Sequence, residues 1–158
     1  MANPANETVQ APFVAFNFSV EITNADDPSR LCSAAFSECD GLEMTMEVKT
    51  IKEGGANGQL IRLSGPVSYG QLTLKRGMTA NFDLWVWFNA VVADPSIRAN
   101  AEVVLLAPDG TTERARFLLR RCVPVKLKAP PLNAKDGMVA IEELQLAYES
   151  LSHKAPSA

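Results

Sequence analysis

Apolar side chains recur at every second position in several stretches of this chain, a period that fits strands and does not fit amphipathic helices. From Val14 to Ile22 the apolar set is Val14, Phe16, Phe18, Val20 and Ile22, while Asn17, Ser19 and Glu21 face the other way. Leu42, Met44, Met46 and Val48 alternate with Glu43, Thr45, Glu47 and Lys49, which predicts a strand with one buried face and one charged, solvated face. Tyr69 to Lys75 repeats the pattern on a shorter scale, with Leu72 and Leu74 against Thr73 and Lys75. In Met138 to Leu151 the residues Glu142 to Ala147 also suit a helix by propensity. The alternation of Leu144, Leu146 and Tyr148 with Glu143, Gln145 and Glu149, delivered by Pro130-Pro131 and Gly137, favours a strand.

Turn chemistry divides these stretches. Asn24 to Pro28 ends the first strand, Ser33 to Cys39 resumes extended character before Asp40-Gly41, and Pro108-Asp109-Gly110 predicts a hairpin joining Glu102–Ala107 to Thr111–Val123. Glu53 to Gly58, with glycines at 54, 55 and 58, predicts a long exposed loop, and Gly65-Pro66 ends that region. The loop is no phosphate cradle: it lacks the G-x-x-x-x-G-K-[ST] pattern and a strand-to-helix context.

Asn81 to Ala93 is the exception to the strand pattern. Thr79 or Asn81 can cap it, Asp83 sits in its first turn, and Asp94-Pro95 stops it, so a helix is expected. Its apolar residues cover most of the circumference, more than one sheet face can bury, and exposed tryptophans normally mark an interface. Phe82, Trp85, Trp87 and Phe88 are therefore expected where subunits meet. The fold class that results is mostly β (α+β), an antiparallel β-sandwich or partly closed barrel of six or seven strands with one principal α-helix. Residues 12–151 form one domain, 1–11 a mobile N-terminal arm and 152–158 a C-terminal tail.

Composition removes several functions. Fifteen basic residues against 18 acidic ones give −3, no footprint for nucleic acid or anionic lipid. The N-terminus lacks a basic start and an apolar core, so no signal peptide is expected and synthesis is placed in the cytoplasm. No apolar run approaches the ~20 residues that cross a bilayer, so no membrane insertion is expected. Cys32, Cys39 and Cys122 are spaced too widely for a zinc knuckle and read as small buried thiols. His153, the sole histidine, lies near the end of the chain, and Arg114, Arg116 and Arg120 read as a solvated or salt-bridged sheet face. Glu142 and Glu143 fall on opposite faces of a strand and cannot share a proton. No catalytic set, metal site or cofactor site is expected.

The pieces Phe36-Ser-Glu-Cys-Asp-Gly-Leu42, Glu53-Gly-Gly55 and Tyr69-Gly-Gln-Leu-Thr-Leu-Lys-Arg-Gly77, the helix with Trp85, and Val139 to Leu151 occur in an order and spacing that resemble the contractile phage tail tube family. The likeness covers nearly the whole chain and is strongest to inner tube proteins of phage-tail-like contractile injection systems. The resemblance implies hexameric rings, with strands of every subunit joining a barrel around a lumen, and rings stacking inside a sheath. It implies contacts with sheath, baseplate and tube-terminator proteins, a protein or DNA cargo without specific nucleic-acid binding, and no reaction. It also implies that the long loop, here Glu53, Gly54, Gly55, Asn57, Gly58 and Gln59, reaches the adjacent ring, and that the N-terminal arm docks similarly. Two alternatives carry over: a tube-initiator paralogue that joins the tube to the baseplate, and a secreted, effector-carrying ring similar to the haemolysin-coregulated proteins.

Overall fold

The alternating stretches become strands, and a computed structural model describes them over residues 11–27, 30–55, 58–135 and 137–156. In chain order the elements are β1 (Phe18–Asn24), β2 (Arg30–Ala34), β3 (Glu38–Asp40), β4 (Met44–Lys52), β5 (Leu60–Tyr69), β6 (Gln71–Gly77), α1 (Asp83–Ala93), β7 (Ala99–Leu106), β8 (Glu113–Lys128), β9 (Ile141–Ala147) and β10 (Ser150–Lys154). One antiparallel path runs β2-β1-β7-β8-β9-β6-β3, with β10 also on β8, while among the described residues β4 and β5 pair only with each other.

Strand β8 is the spine. Its first part pairs with β7 on one edge and β10 on the other. At Arg121 the backbone takes a positive φ of 54°, and beyond it Val123–Lys128 pairs with β9. The sheet therefore bends into two halves that bury one core: Val20, Ile22, Val103 and Leu119 from one half meet Leu72, Leu74, Leu144 and Leu146 from the other. Helix α1, packed against β8 and β2, contributes Leu84 and Trp87. The sheets do not close into a barrel.

Several expectations need correction. The first strand begins at Phe18, because Phe13, Val14 and Phe16 are exposed and lie ahead of the ladder, although Val20 and Ile22 keep the predicted phase. The loop after Glu53 is short, since Leu60–Tyr69 returns as β5 through Gly65-Pro66. There Gly65 and Pro66 together face Glu47 in a bulge, where a Cβ on residue 65 would lie 2.4 Å from the Glu47 carbonyl oxygen and where no ladder N–H is required of proline. The C-terminal stretch starts as a strand only at Ile141, breaks at Tyr148-Glu149 and continues as β10, so His153 sits in the sheet with its ring 5.6 Å from that of Phe117. Asn81 accepts from the Asp83 N–H at 3.0 Å from just ahead of the helix, whose N-cap is Phe82.

The β7–β8 turn is held by Asp109. Its carboxylate accepts from the backbone N–H of Thr111 and of Thr112, both at 2.9 Å, and from the Thr112 hydroxyl at 2.5 Å. These donors, the Thr112 hydroxyl foremost, lower the Asp109 pKa to about 2. A carboxyl group whose folded pKa is depressed stabilises the fold above its unfolded value and ceases to as pH falls through the folded value. The turn is thus expected to stay ordered from neutral pH down to about 4 and to loosen as pH falls toward 2. A titration followed by the Thr112 amide resonance checks this, and a midpoint near the ordinary aspartate value would contradict it.

Candidate assembly surface

The side chains that remain outside the core define this molecule more than any pocket does. On β4 all nine residues are exposed, including Met44 at 62%, Met46 at 51% and Val48 at 54%. The buried face expected for Leu42–Lys49 is absent among the described residues, because β4 and β5 form a separate two-stranded ribbon that packs on the core only at its root, through Tyr69. Cross-strand partners share a face, so Met44 and Met46 stand with Tyr69 and Val67 on one side. Towards the tip, Ile51 opposes Ile61 and Lys49 opposes Leu63 on the other side. Both faces of the ribbon carry apolar side chains in water, an arrangement that isolated two-stranded ribbons do not sustain and that marks contact surfaces. The tip holds Glu53, Gly54, Gly55, Gly58 and Gln59, all exposed, while Asn57 lies outside the described residues.

The ribbon is rooted firmly. Gly41 has φ of +103°, and a Cβ there would lie 1.9 Å from the Gln71 carbonyl oxygen, so only glycine lets the chain pass β6 at this point. The Tyr148 hydroxyl lies 2.7 Å from the Gly41 carbonyl oxygen and accepts the Glu43 N–H at 3.1 Å, which ties the start of β4 to the end of β9.

Of the four aromatic residues expected at a subunit contact, Phe82 is 53% exposed and Trp87 only 3% exposed, taken into the chain's own core. Trp85 and Phe88 are half-buried. The helical period puts Val86 beside Phe82 on the outer face, where it is also exposed. Trp85 is held from below: its indole N–H donates to Glu142 Oε2 at 3.1 Å.

Glu142 belongs to a buried cluster that sequence reading missed. Arg76 and Glu142 oppose each other on β6 and β9, 4% and 1% exposed, and the Arg76 Nε–H donates to Glu142 Oε1. The guanidinium also donates to the Asn81 carbonyl at 3.1 Å, approaches Cys32 Sγ at 3.7 Å and lies 5.7 Å from the Phe36 ring centre. Its signal was present in the period: Arg76 continues the inward phase of Leu72 and Leu74, and Glu142 that of Leu144 and Leu146. The pair anchors the entry of α1 to the sheet. Glu143 faces the other way, as expected.

Arg116 is salt-bridged to Glu113 at 2.9 Å and to Glu102. Burial pushes the Cys39 thiol up to about 11 and that of Cys122 up to about 12, so both stay protonated at neutral pH. Among the described residues no group of three His, Cys, Asp or Glu side chains could hold a metal, and no helix is long and apolar enough to cross a membrane.

A sandwich whose core is finished, bearing an apolar ribbon whose contacts are not, defines a structural building block. The chain belongs to the family of the T4-like virus tail tube protein gp19, which it matches over residues 14–152. It is similar to a chain in the cryo-EM structure of the anti-feeding prophage baseplate, at 28% identity and TM-score 0.80, over 92% of this chain and 97% of that one. A chain of the PVC sheath–tube complex, an extracellular contractile injection system in its extended state, gives 18% identity and TM-score 0.78 over 98% and 99%. Hcp1 from Flavobacterium johnsoniae shares the fold at 13% identity and TM-score 0.50, over 87% and 95%. No curated protein matches. The function is structural, that of a tail tube subunit of the contractile phage-tail and injection-system type.

Proposed function

We propose that six copies of this chain close into a ring and that rings stack into the inner tube of a contractile particle, with no cofactor and no reaction. The carrying observation is the β4–β5 ribbon, whose Met44, Met46, Val48 and Val67 lie in water in the lone chain and need a second copy to cover them. Its tip, with Glu53, Gly54, Gly55, Gly58 and Gln59, reaches the adjacent ring, and Phe82 with Val86 meets a neighbour within the ring. Sheath, baseplate and terminator proteins are the partners, and the anti-feeding prophage and PVC particles are the precedents. The chain is made in the cytoplasm and acts once assembled in an extracellular or cell-borne particle.

Negative-stain imaging of concentrated protein tests this. Sixfold end views and stacked side views are expected. A monomer at every concentration would overturn the ring, and single rings that never stack would mark an initiator of the tube in place of its main subunit.

A further inference from the structure

We propose that the wall along which cargo moves is electrostatically silent: on the sheet face turned to the ring axis, acids and bases cancel in number and in position, so size and not charge decides what passes. This rests on the ring reading above and goes on to the chemistry of the channel the ring encloses.

Width decides which face lines the channel. One half of the sandwich sets four strands side by side, β3, β6, β9 and the Val123–Lys128 part of β8. The other sets five, β2, β1, β7, the first part of β8 and β10, with α1 packed on β8 and β2. At about 4.8 Å per strand, six four-stranded halves side by side make a circle of about 18 Å radius. A second layer about 10 Å further out then has about 29 Å of circumference for each copy, room for five strands, which need about 24 Å. With the five-stranded half inside, the outer layer would fall short by about three strands' width in every copy. The four-stranded half is therefore the inner one. Its apolar face is buried in the chain's own core, so its polar face looks at the axis.

Cross-strand register gives the charge pattern on that face. Glu38, Lys75, Glu143 and Lys128 oppose one another in turn across the four strands, and the next row runs Asp40, Thr73, Gln145, Lys126. Three carboxylates stand with three ammonium groups, so this face is neutral although the chain as a whole carries −3. Position matters as much as number. The first row alternates in sign from strand to strand, with Lys75 Nζ 3.2 Å from Glu38 Oε2, and opposite charges this close cancel at distances beyond their own separation. Salt limits what remains to about 8 Å at physiological strength. The rest of the face is Gln71 and small or aliphatic side chains, with no aromatic ring to stack on and no guanidinium to grip phosphate or carboxylate. Arg76 on β6 points inward to Glu142, and the arginines of β8 all precede Val123. A polyanion and a polycation alike find nothing on this wall that holds or repels them.

Cysteine probes on the wall test it. Gln145→Cys has Lys126 and Glu143 as neighbours and Thr73→Cys has Asp40 and Lys75, so each probe stands beside one base and one acid. Tubes of each variant are treated with a cationic and an anionic thiol reagent of equal size, and tubes of the unsubstituted protein give the background from Cys32, Cys39 and Cys122. At low salt the ratio of the two rates is expected to stay within about threefold of that for a free thiol, and added salt should hardly move it. Lys75→Gln combined with Gln145→Cys leaves each copy one negative charge in excess, and the ratio should then favour the cationic reagent severalfold, which shows that the assay reads a field. A thiol reagent carried on a globular protein wider than the channel should reach both probes in single subunits and neither in tubes. A preference beyond threefold for one sign at either position overturns the proposal. So does labelling by the bulky reagent as fast in tubes as in subunits, which would put this face outside the channel. Absence of tubes from the unsubstituted protein would instead remove the ring reading itself.

Discussion

Glu142→Ala is expected to cost about 3–5 kcal/mol of folding stability, the range for removing one partner of a buried ion pair. The cause is what remains behind. Arg76, 4% exposed, keeps the Asn81 carbonyl, a weak sulfur acceptor in Cys32 and the face of Phe36, but no counter-charge. The Trp85 indole N–H loses its acceptor at the same time. Arg76→Met combined with Glu142→Leu should cost clearly less than the sum of the separate changes, since an apolar pair of similar volume leaves no stranded charge. Urea unfolding of the four proteins of that cycle, at concentrations where all are monomeric, reads the coupling. A Glu142→Ala loss under about 1 kcal/mol would mean that water or a nearby donor and acceptor already serve these groups.

The same pair shows what was legible in the sequence and what was not. Period two placed Leu72, Leu74, Leu144 and Leu146 on inward faces, and the structure keeps them there in direct cross-strand register. Charge hid the next members of those rows, because Arg and Glu read as surface residues unless their phase is carried through. Strand β5 was hidden by Gly65-Pro66, which locally end a strand; the accommodating bulge depends on Glu47, a residue that no short window connects to them. For β4 the period was right and the inference from it incomplete. Alternation states that one face is apolar, not which molecule covers it, and here β4 stays exposed among the described residues. The helix taught a similar limit: its apolar surplus was visible, but the division of Trp87 to the core and Phe82 to the outside follows from how α1 lies on β8 and β2.

Met46→Asp with Val67→Asp should abolish assembly while leaving a folded monomer. The two residues are direct cross-strand partners on one face of the ribbon, exposed by 51% and 42%. Substitutions at exposed positions away from packing features alter stability by only about 0.5 kcal/mol, and adjacent carboxylates add some repulsion that salt screens. In an assembled particle the balance reverses. Each side chain is already about half covered, so it forfeits about half of full apolar burial, roughly 0.8–1.5 kcal/mol, and each carboxylate must leave water without a designed partner. Even the smaller figure, taken at two positions, lowers the association constant by about tenfold at each contact, before the cost of the carboxylates is added. Light scattering across concentration, with circular dichroism to verify the fold, separates the two effects. Phe82→Asp on the outer face of α1 is a cleaner companion than a change at Trp85, whose indole also serves Glu142. Rings of wild-type size from the Met46/Val67 variant would show that this face of the ribbon stays in water after assembly, and the apolar ribbon would lose its role as the surface that a neighbouring copy completes.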